Sequence, residues 1–219
     1  MADALGVESG LRTADDTLLV FQRSNRVAEF PGWYCCPGGH AEPAKMFARV
    51  ASAFPDVLAS VARMSFDPTV VRIDEQISER AIEADLRMWL RALLTHVPPE
   101  QLEQWILDEL FGSVVDEIVD EVGIPRDLVQ VRGITAVNRA MGDQSRGKPD
   151  LSFDVVVHLP LAAARAAYAV RRGADAFEGV DGSIVGIPRN AGLDSLRELR
   201  LTPASLCALS VLLQPANIA

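Results

Sequence analysis

The sequence predicts an α+β layered domain interrupted by a helical insertion. Short apolar runs bounded by turn residues stand in both halves of the chain, the mark of buried strands. Between them, from about Ala44 to Ile124, the pattern is almost wholly helical. Strands and helices mix without a regular strand–helix–strand alternation, which favours layers packed around one core.

The elements follow in order. Asp15-Asp16 make a turn before Thr17–Phe21, an unbroken apolar strand. Gly32–Cys36 is an aromatic, strand-like run that ends at Pro37-Gly38-Gly39, which reads as a turn. Lys45–Met64 is an amphipathic helix with a break at Pro55, and Asp74–His96 is a long uninterrupted helical pattern. Pro98-Pro99 opens a third helix to Glu121, stopped by Gly123 with Pro125 just beyond. Leu128–Ala136 and Leu151–Leu159 read as strands joined by a polar loop, Asn138–Asp150. Leu161–Arg172 is an Ala-rich helix, Ser183–Ile187 a short strand and Pro203–Leu213 a last amphipathic helix.

Composition bounds the function. With 219 residues, 49 % hydrophobic and 23 % charged, the chain can bury a sizeable core. Its net charge of −9 opposes binding to a nucleic-acid backbone, and of its basic residues only Lys45 and Lys148 are lysines. Three histidines (His40, His96, His158) are too few for a multi-histidine metal site, and three cysteines cannot build a disulfide framework. No basic, apolar leader and no membrane-length apolar run is visible, so the expectation is a soluble intracellular protein, cytoplasmic and without a membrane partner. No Gly-x-Ser-x-Gly motif serves serine-hydrolase chemistry, and Cys35 and Cys36 read as small core residues rather than nucleophiles.

Two stretches carry chemistry. At 100° per residue, Leu107, Leu110, Phe111, Val114, Val115, Ile118 and Val122 share one stripe that should face a core. Glu117, Asp120 and Glu121 fill a neighbouring arc, where they repel one another and oppose the helix dipole. A hard cation would reverse that cost, and magnesium favours such oxygen ligands; a solvated acidic face is the other reading. The second stretch, Pro37-Gly38-Gly39-His40-Ala41-Glu42-Pro43, allows backbone to approach a ligand closely, though an ordinary turn fits it as well.

Together these stretches resemble the signature of the Nudix hydrolases: a glycine, five residues, a glutamate, seven residues, then Arg-Glu-apolar-any-Glu-Glu-any-Gly-apolar. Glu117 to Ile124 matches its tail, with Asp120 in place of one glutamate, and Gly39 matches the leading glycine. Asp116 stands where the family has arginine. Gly39 and Glu117 lie 78 positions apart, 63 more than the signature allows, so the box is split by an insertion. Asp108 falls at the counted place of the isolated glutamate, with Glu109 one residue further. A box interrupted after Pro-Gly-Gly-His and lacking the arginine resembles the UDP-glucose (UDP-sugar) diphosphatase branch. The likeness covers roughly residues 5–43 and 106–213.

The resemblance implies an α/β/α sandwich with a mixed sheet: one domain over residues 1–219, with a helical insertion at 45–104 inside the box. It implies hydrolysis of a nucleoside diphosphate linked to another group, in this branch UDP-glucose or UDP-galactose to UMP and sugar 1-phosphate. ADP-ribose, a coenzyme A derivative, or a silent Nudix-like binding module are the alternatives. Mg2+, with Mn2+ as substitute, would be held by Glu117, Asp120 and Glu121. Glu121 and Glu178 are the candidate catalytic carboxylates, and Gly38, Gly39, His40 and Lys148 the candidate substrate contacts. The partner expected is the small nucleotide sugar; the apolar helix around Arg87–Leu94 packs back on the domain by default, with a cap on the active site or a homodimer interface as the other readings.

Overall fold

The computed structural model describes residues 5–27, 29–41, 97–139, 149–171 and 179–214. The helices expected over Lys45–Met64 and Asp74–His96 lie outside them, as does most of the expected insertion. The chain divides into two compact units, one of residues 1–2 and 42–110 and the other of residues 3–41 and 111–219. In the first unit Pro99 begins helix α1 (Pro99–Glu117), and Val97 and Leu102 are buried. Proline suits that first position, because its missing N–H would have no intrahelical partner there.

The second unit is built on a mixed sheet. Its strands are β1 (Gly6–Arg12), β2 (Thr17–Arg23), β3 (Tyr34–Cys35), β4 (Gly38–His40), β5 (Val129–Arg139), β6 (Pro149–Val157) and β7 (Gly179–Pro188). The main path runs β3-β2-β1-β6-β5, with β4 added to β1 and β7 to β2. β1 is the central strand, parallel to β6 and antiparallel to β2 and β4. Alternation along β2 sends Leu18 and Val20 to one face and Leu19 and Phe21 to the other, all of them buried. On the first face Leu18, Val20 and Ile187 pack with Leu209 and Leu213 at helix α3 (Pro203–Leu212). On the opposite face Phe21 meets Tyr168 of helix α2 (Leu161–Val170), and Phe111 of α1 stands edge-on to Phe153 of β6, ring centroids 6.0 Å apart. Helices on both faces of a mixed sheet give the α/β/α layering the sequence predicts.

Three local readings change. β1 has no counterpart in the expectations, because Glu8, Ser9 and Gly10 at its centre hide the apolar pattern although the strand is buried. Pro37-Gly38-Gly39 is not a free turn: Gly38 and Gly39 belong to β4, opposite Glu8 and Val7 of β1. The two strands joined by the polar loop run further than their apolar cores, since β5 and β6 continue pairing out to Arg139 and Pro149.

The third helix ends as expected, with one modification. After Glu117 the winding opens into a π-helical turn, Ile118–Val122, and Gly123 closes it in the left-handed region at φ 77°. A Cβ at Gly123 would also press on the Ala167 carbonyl and on Arg171 of the neighbouring segment. A uniform 100° step therefore holds only to Glu117, beyond which each turn takes more residues. The apolar stripe survives the change: Val114, Ile118 and Val122 are all buried.

Candidate active site

The end of α1, the π-helical turn and β4 together place the acidic residues. β4 hangs on β1 by a register of Gly6 to His40, Val7 to Gly39 and Glu8 to Gly38. Against its glycines stand the two glutamates. The Gly38 amide donates to Glu121 Oε2 at 2.9 Å. At Gly39 a Cβ would collide with the carboxylate of Glu117, so only glycine lets that side chain lie where it does. Gly38 is equally constrained from the other side, where a Cβ would press on the Val7 carbonyl and sit 3.0 Å from Glu8 Cα.

Glu117 and Glu121, separated by one helical turn, are both half-buried and both reach the glycine strand. Asp120 is exposed. His40 is exposed at the end of β4, one residue past Gly39. Lys148 and Glu178 lie outside the described residues. Among the described residues, no three His, Cys, Asp or Glu side chains are gathered as metal ligands. Two carboxylates beside glycine backbone form an all-oxygen donor set, which fits magnesium. That cation takes one or two carboxylates and completes its shell with water and substrate phosphate.

The neighbouring positions differ from the signature in ways the structure explains. Asp116, in the place of the signature arginine, forms an ion pair with Arg126 just beyond the helix. That pair is partly exposed and adds little stability. It places an arginine next to the helix end at which the signature carries one. At the isolated-glutamate position Asp108 is exposed and accepts from Gln104 Nε2 at 2.8 Å, while Glu109 is buried.

A second polar group lies behind β4. Glu8 is buried, and burial above all pushes its carboxyl up to about 8. Ser205 of α3 bonds Glu8 Oε1, and its oxygen accepts the Cys36 amide at 2.9 Å. Neither residue is legible as part of a site from sequence, since 197 positions separate them and both lie in unremarkable surroundings. Burial also raises the Cys35 thiol to about 12, helped by the charge of Glu121, and holds Cys36 well above its usual value. Thiols that remain protonated agree with a packing role for both.

The comparisons with known proteins bear on this arrangement. No family model matches the chain. It is 30 % identical over 121 residues to Nudix hydrolase 9 of Arabidopsis thaliana, a stretch covering 55 % of this chain and 26 % of that protein. It is 28 % identical over 155 residues to the human uridine diphosphate glucose pyrophosphatase NUDT22, covering 71 % of this chain and 36 % of that one. The match thus spans about a third or less of these relatives' length. Among solved structures, the MutT protein of Methanosarcina mazei Go1 superposes with a TM-score of 0.45 at 12 % identity, over 94 % of this chain and 89 % of that one. The split glutamate box of the present chain, set against the glycine strand, points the same way as these sequence matches: the chain resembles the Nudix hydrolases and, among them, the UDP-glucose pyrophosphatases.

Proposed function

We propose that this chain is a metal-dependent Nudix pyrophosphohydrolase that opens the diphosphate of a nucleoside diphosphate linked to another group. Its substrate in this reading is UDP-glucose or UDP-galactose, with UMP and sugar 1-phosphate as products. The observation that carries the reading is the meeting of Glu121 with the Gly38 amide and of Glu117 with Gly39. Gly38 and Glu121 stand 83 positions apart in sequence, and their contact joins the two halves of the split signature. The nucleotide sugar follows from the likeness to the human enzyme named above.

Bound at Glu117 and Glu121, a divalent cation would offset the diphosphate charge and acidify water for attack. The remaining work falls to the chain. The Gly38 amide fixes one oxygen of Glu121, so that the carboxylate is aimed before substrate arrives. The backbone of Gly38 and Gly39 is the proposed diphosphate contact, while the space their missing side chains leave takes in Glu117 and the edge of β1. Water adds its oxygen to one phosphorus, the bridging P–O bond breaks, and the displaced oxygen leaves on the other phosphate. Glu121 or Glu178 takes the proton from that water. Asp120, which is exposed, serves as a further ligand or acts from the periphery of the pair, and His40 and Lys148 contact the phosphates. With a net charge of −9 the protein repels an anionic substrate, so the cation serves binding as well as chemistry.

This reading includes one Nudix domain over residues 1–219 with the helical insertion at 45–104, an intracellular location and self-association through the insertion. Among the described residues no helix is long and apolar enough to cross a membrane. The test is turnover on a panel of UDP-glucose, UDP-galactose, ADP-ribose and coenzyme A, with and without Mg2+ or Mn2+. Metal-dependent release of UMP and sugar 1-phosphate is expected. Preference for ADP-ribose or coenzyme A would replace the substrate, and no turnover on any of them would reduce the chain to a silent binding module.

A further inference from the structure

The strand that carries Gly38 and Gly39 is short, and β1 alone does not account for its placement. The three residues Cys36, Pro37 and Gly38 are each fixed by a separate group. The Cys36 amide donates to Ser205 Oγ at 2.9 Å. The Pro37 carbonyl accepts both the amide and the hydroxyl of Ser9, each at 2.8 Å. The Gly38 amide donates to Glu121 Oε2 at 2.9 Å. Ser9 and Glu8 are adjacent on β1 and point to opposite faces, so the segment is tied from both sides of the sheet.

Ser205 is fully buried and is itself held by two neighbours. Its hydroxyl bonds Glu8 Oε1 and lies 2.6 Å from Thr202 Oγ1, the N-cap of α3. One hydroxyl proton and two lone pairs can serve all three contacts. The Cys36 amide supplies one proton, Ser205 gives its own to Glu8 or Thr202, and the remaining neighbour donates back. The inventory closes whether Glu8 is protonated or ionised, because the bonds merely reverse direction. In both states Ser205 keeps a lone pair for Cys36. A buried network satisfied in this way is rigid, and it ends two residues before the amide that aims Glu121.

We propose that Ser205, locked by Glu8 and Thr202, is a positioning residue that sets the Cys36–Gly39 segment and thereby the contact between Gly38 and Glu121. This rests on the reading of Glu117 and Glu121 as the catalytic carboxylates. The general reason is that a small displacement of a group aligned for the transition state lowers kcat more than it changes substrate binding.

The experiment compares the 219-residue wild type with S205A, E8Q and E8L by amide hydrogen exchange and by steady-state turnover on UDP-glucose with Mg2+. In S205A the Gly38 amide should exchange at least tenfold faster while Leu19 and Val155 in the sheet stay protected. Its kcat should fall about tenfold with KM within threefold. E8Q keeps a donor to Ser205 and should hold both readouts within twofold of wild type. E8L leaves the hydroxyl but strips one anchor, so it should fall between, and it decides the matter if S205A does not fold. A folded S205A with normal Gly38 exchange and normal kcat overturns the proposal. So does a loss of protection spread evenly over the sheet, which marks an ordinary core residue. If the wild type cleaves no diphosphate, the functional reading fails, and the exchange rates alone still decide the role of Ser205.

Discussion

Gly39 lies so close to Glu117 that a Cβ added at the glycine would run into the glutamate carboxylate. The obstacle there is the end of a flexible side chain, which can swing away. At Gly38 it is the backbone of Val7 and Glu8, which cannot move without opening β4 from β1. G39A should therefore fold with a stability loss under about 1 kcal/mol but displace Glu117 and lose most turnover. G38A should lose about 1–3 kcal/mol, the usual cost of forcing an extra carbon into a packed backbone. Urea melts and turnover on the same two proteins check the contrast, and equal stability losses would contradict it.

E117Q and E121Q remove charge and keep shape. Glutamine can still accept the Gly38 amide, and loss of one carboxylate relieves repulsion between neighbours on one helical face. Thermal melts without metal should show each variant as stable as wild type or slightly more so. Turnover should drop by at least a factor of about 100, since charge stabilisation at such a centre is worth several kcal/mol. Mg2+ should raise the wild-type melting temperature more than that of either variant, and chelation should abolish wild-type turnover. D120N should cost less than either if the exposed Asp120 acts only from the periphery. Normal turnover in E117Q and E121Q would leave the acidic arc a solvated surface.

How far the fold could be read follows from where each residue's partners lie. Leu18 to Phe21 announce β2 because four apolar residues in a row need burial on both faces, whatever covers them. Glu8, Ser9 and Gly10 conceal β1 because what permits their burial is remote: Ser205 for Glu8, the Pro37 carbonyl for Ser9, and Leu212, whose side chain occupies the space a Cβ at Gly10 would need. Spacing alone puts Glu117 and Glu121 on one side of a helix and leaves a solvated acidic face as the other reading; the likeness to the split signature is what singles them out. Asp116 read as a lost arginine, and its replacement by the pair with Arg126 could not be foreseen, because that partner enters only after the π-helical turn and Gly123. The strand character of Gly38 and Gly39 was hidden for a similar reason. Pro-Gly-Gly is locally a turn, and it becomes a strand only because β1 offers its edge.

Cys35 and Cys36 should be inert. Burial, with the charge of Glu121 added, pushes the Cys35 thiol up to about 12, and burial raises that of Cys36 well above its usual value. At pH 8 Cys35 is then overwhelmingly in its unreactive thiol form. Iodoacetamide at pH 8 should leave both unmodified in the native protein and label both after denaturation, read by mass spectrometry. C36A should be destabilised, as its side chain belongs to the core cluster around Leu18 and Leu209. C35A should retain turnover. Rapid native labelling of Cys35 would show a more open or more positive environment than this structure has.

Glu8 should make stability depend on pH in a direction opposite to that of most carboxylates. Burial raises it to about 8, and Asp150 of β6 adds to the rise; Ser205, Arg23 of β2 and the Cys36 amide pull the other way. The folded protein therefore holds a proton that the unfolded chain releases near the ordinary carboxyl value of 4.5. Unfolding then liberates a proton between these limits, and the stability due to Glu8 falls as pH rises from about 4.5 to 8. The slope is at most about 1.4 kcal/mol per pH unit, and it flattens above 8, where both states are ionised. E8Q cannot titrate and lacks this slope, while every other group titrates as in wild type. The difference in unfolding free energy between E8Q and wild type should therefore grow in favour of E8Q from pH 5 to pH 8. Denaturant melts of both proteins at half-unit intervals measure it. A difference that is constant with pH would mean that Glu8 keeps an ordinary carboxyl inside the fold, and that Ser205 donates to an anion throughout.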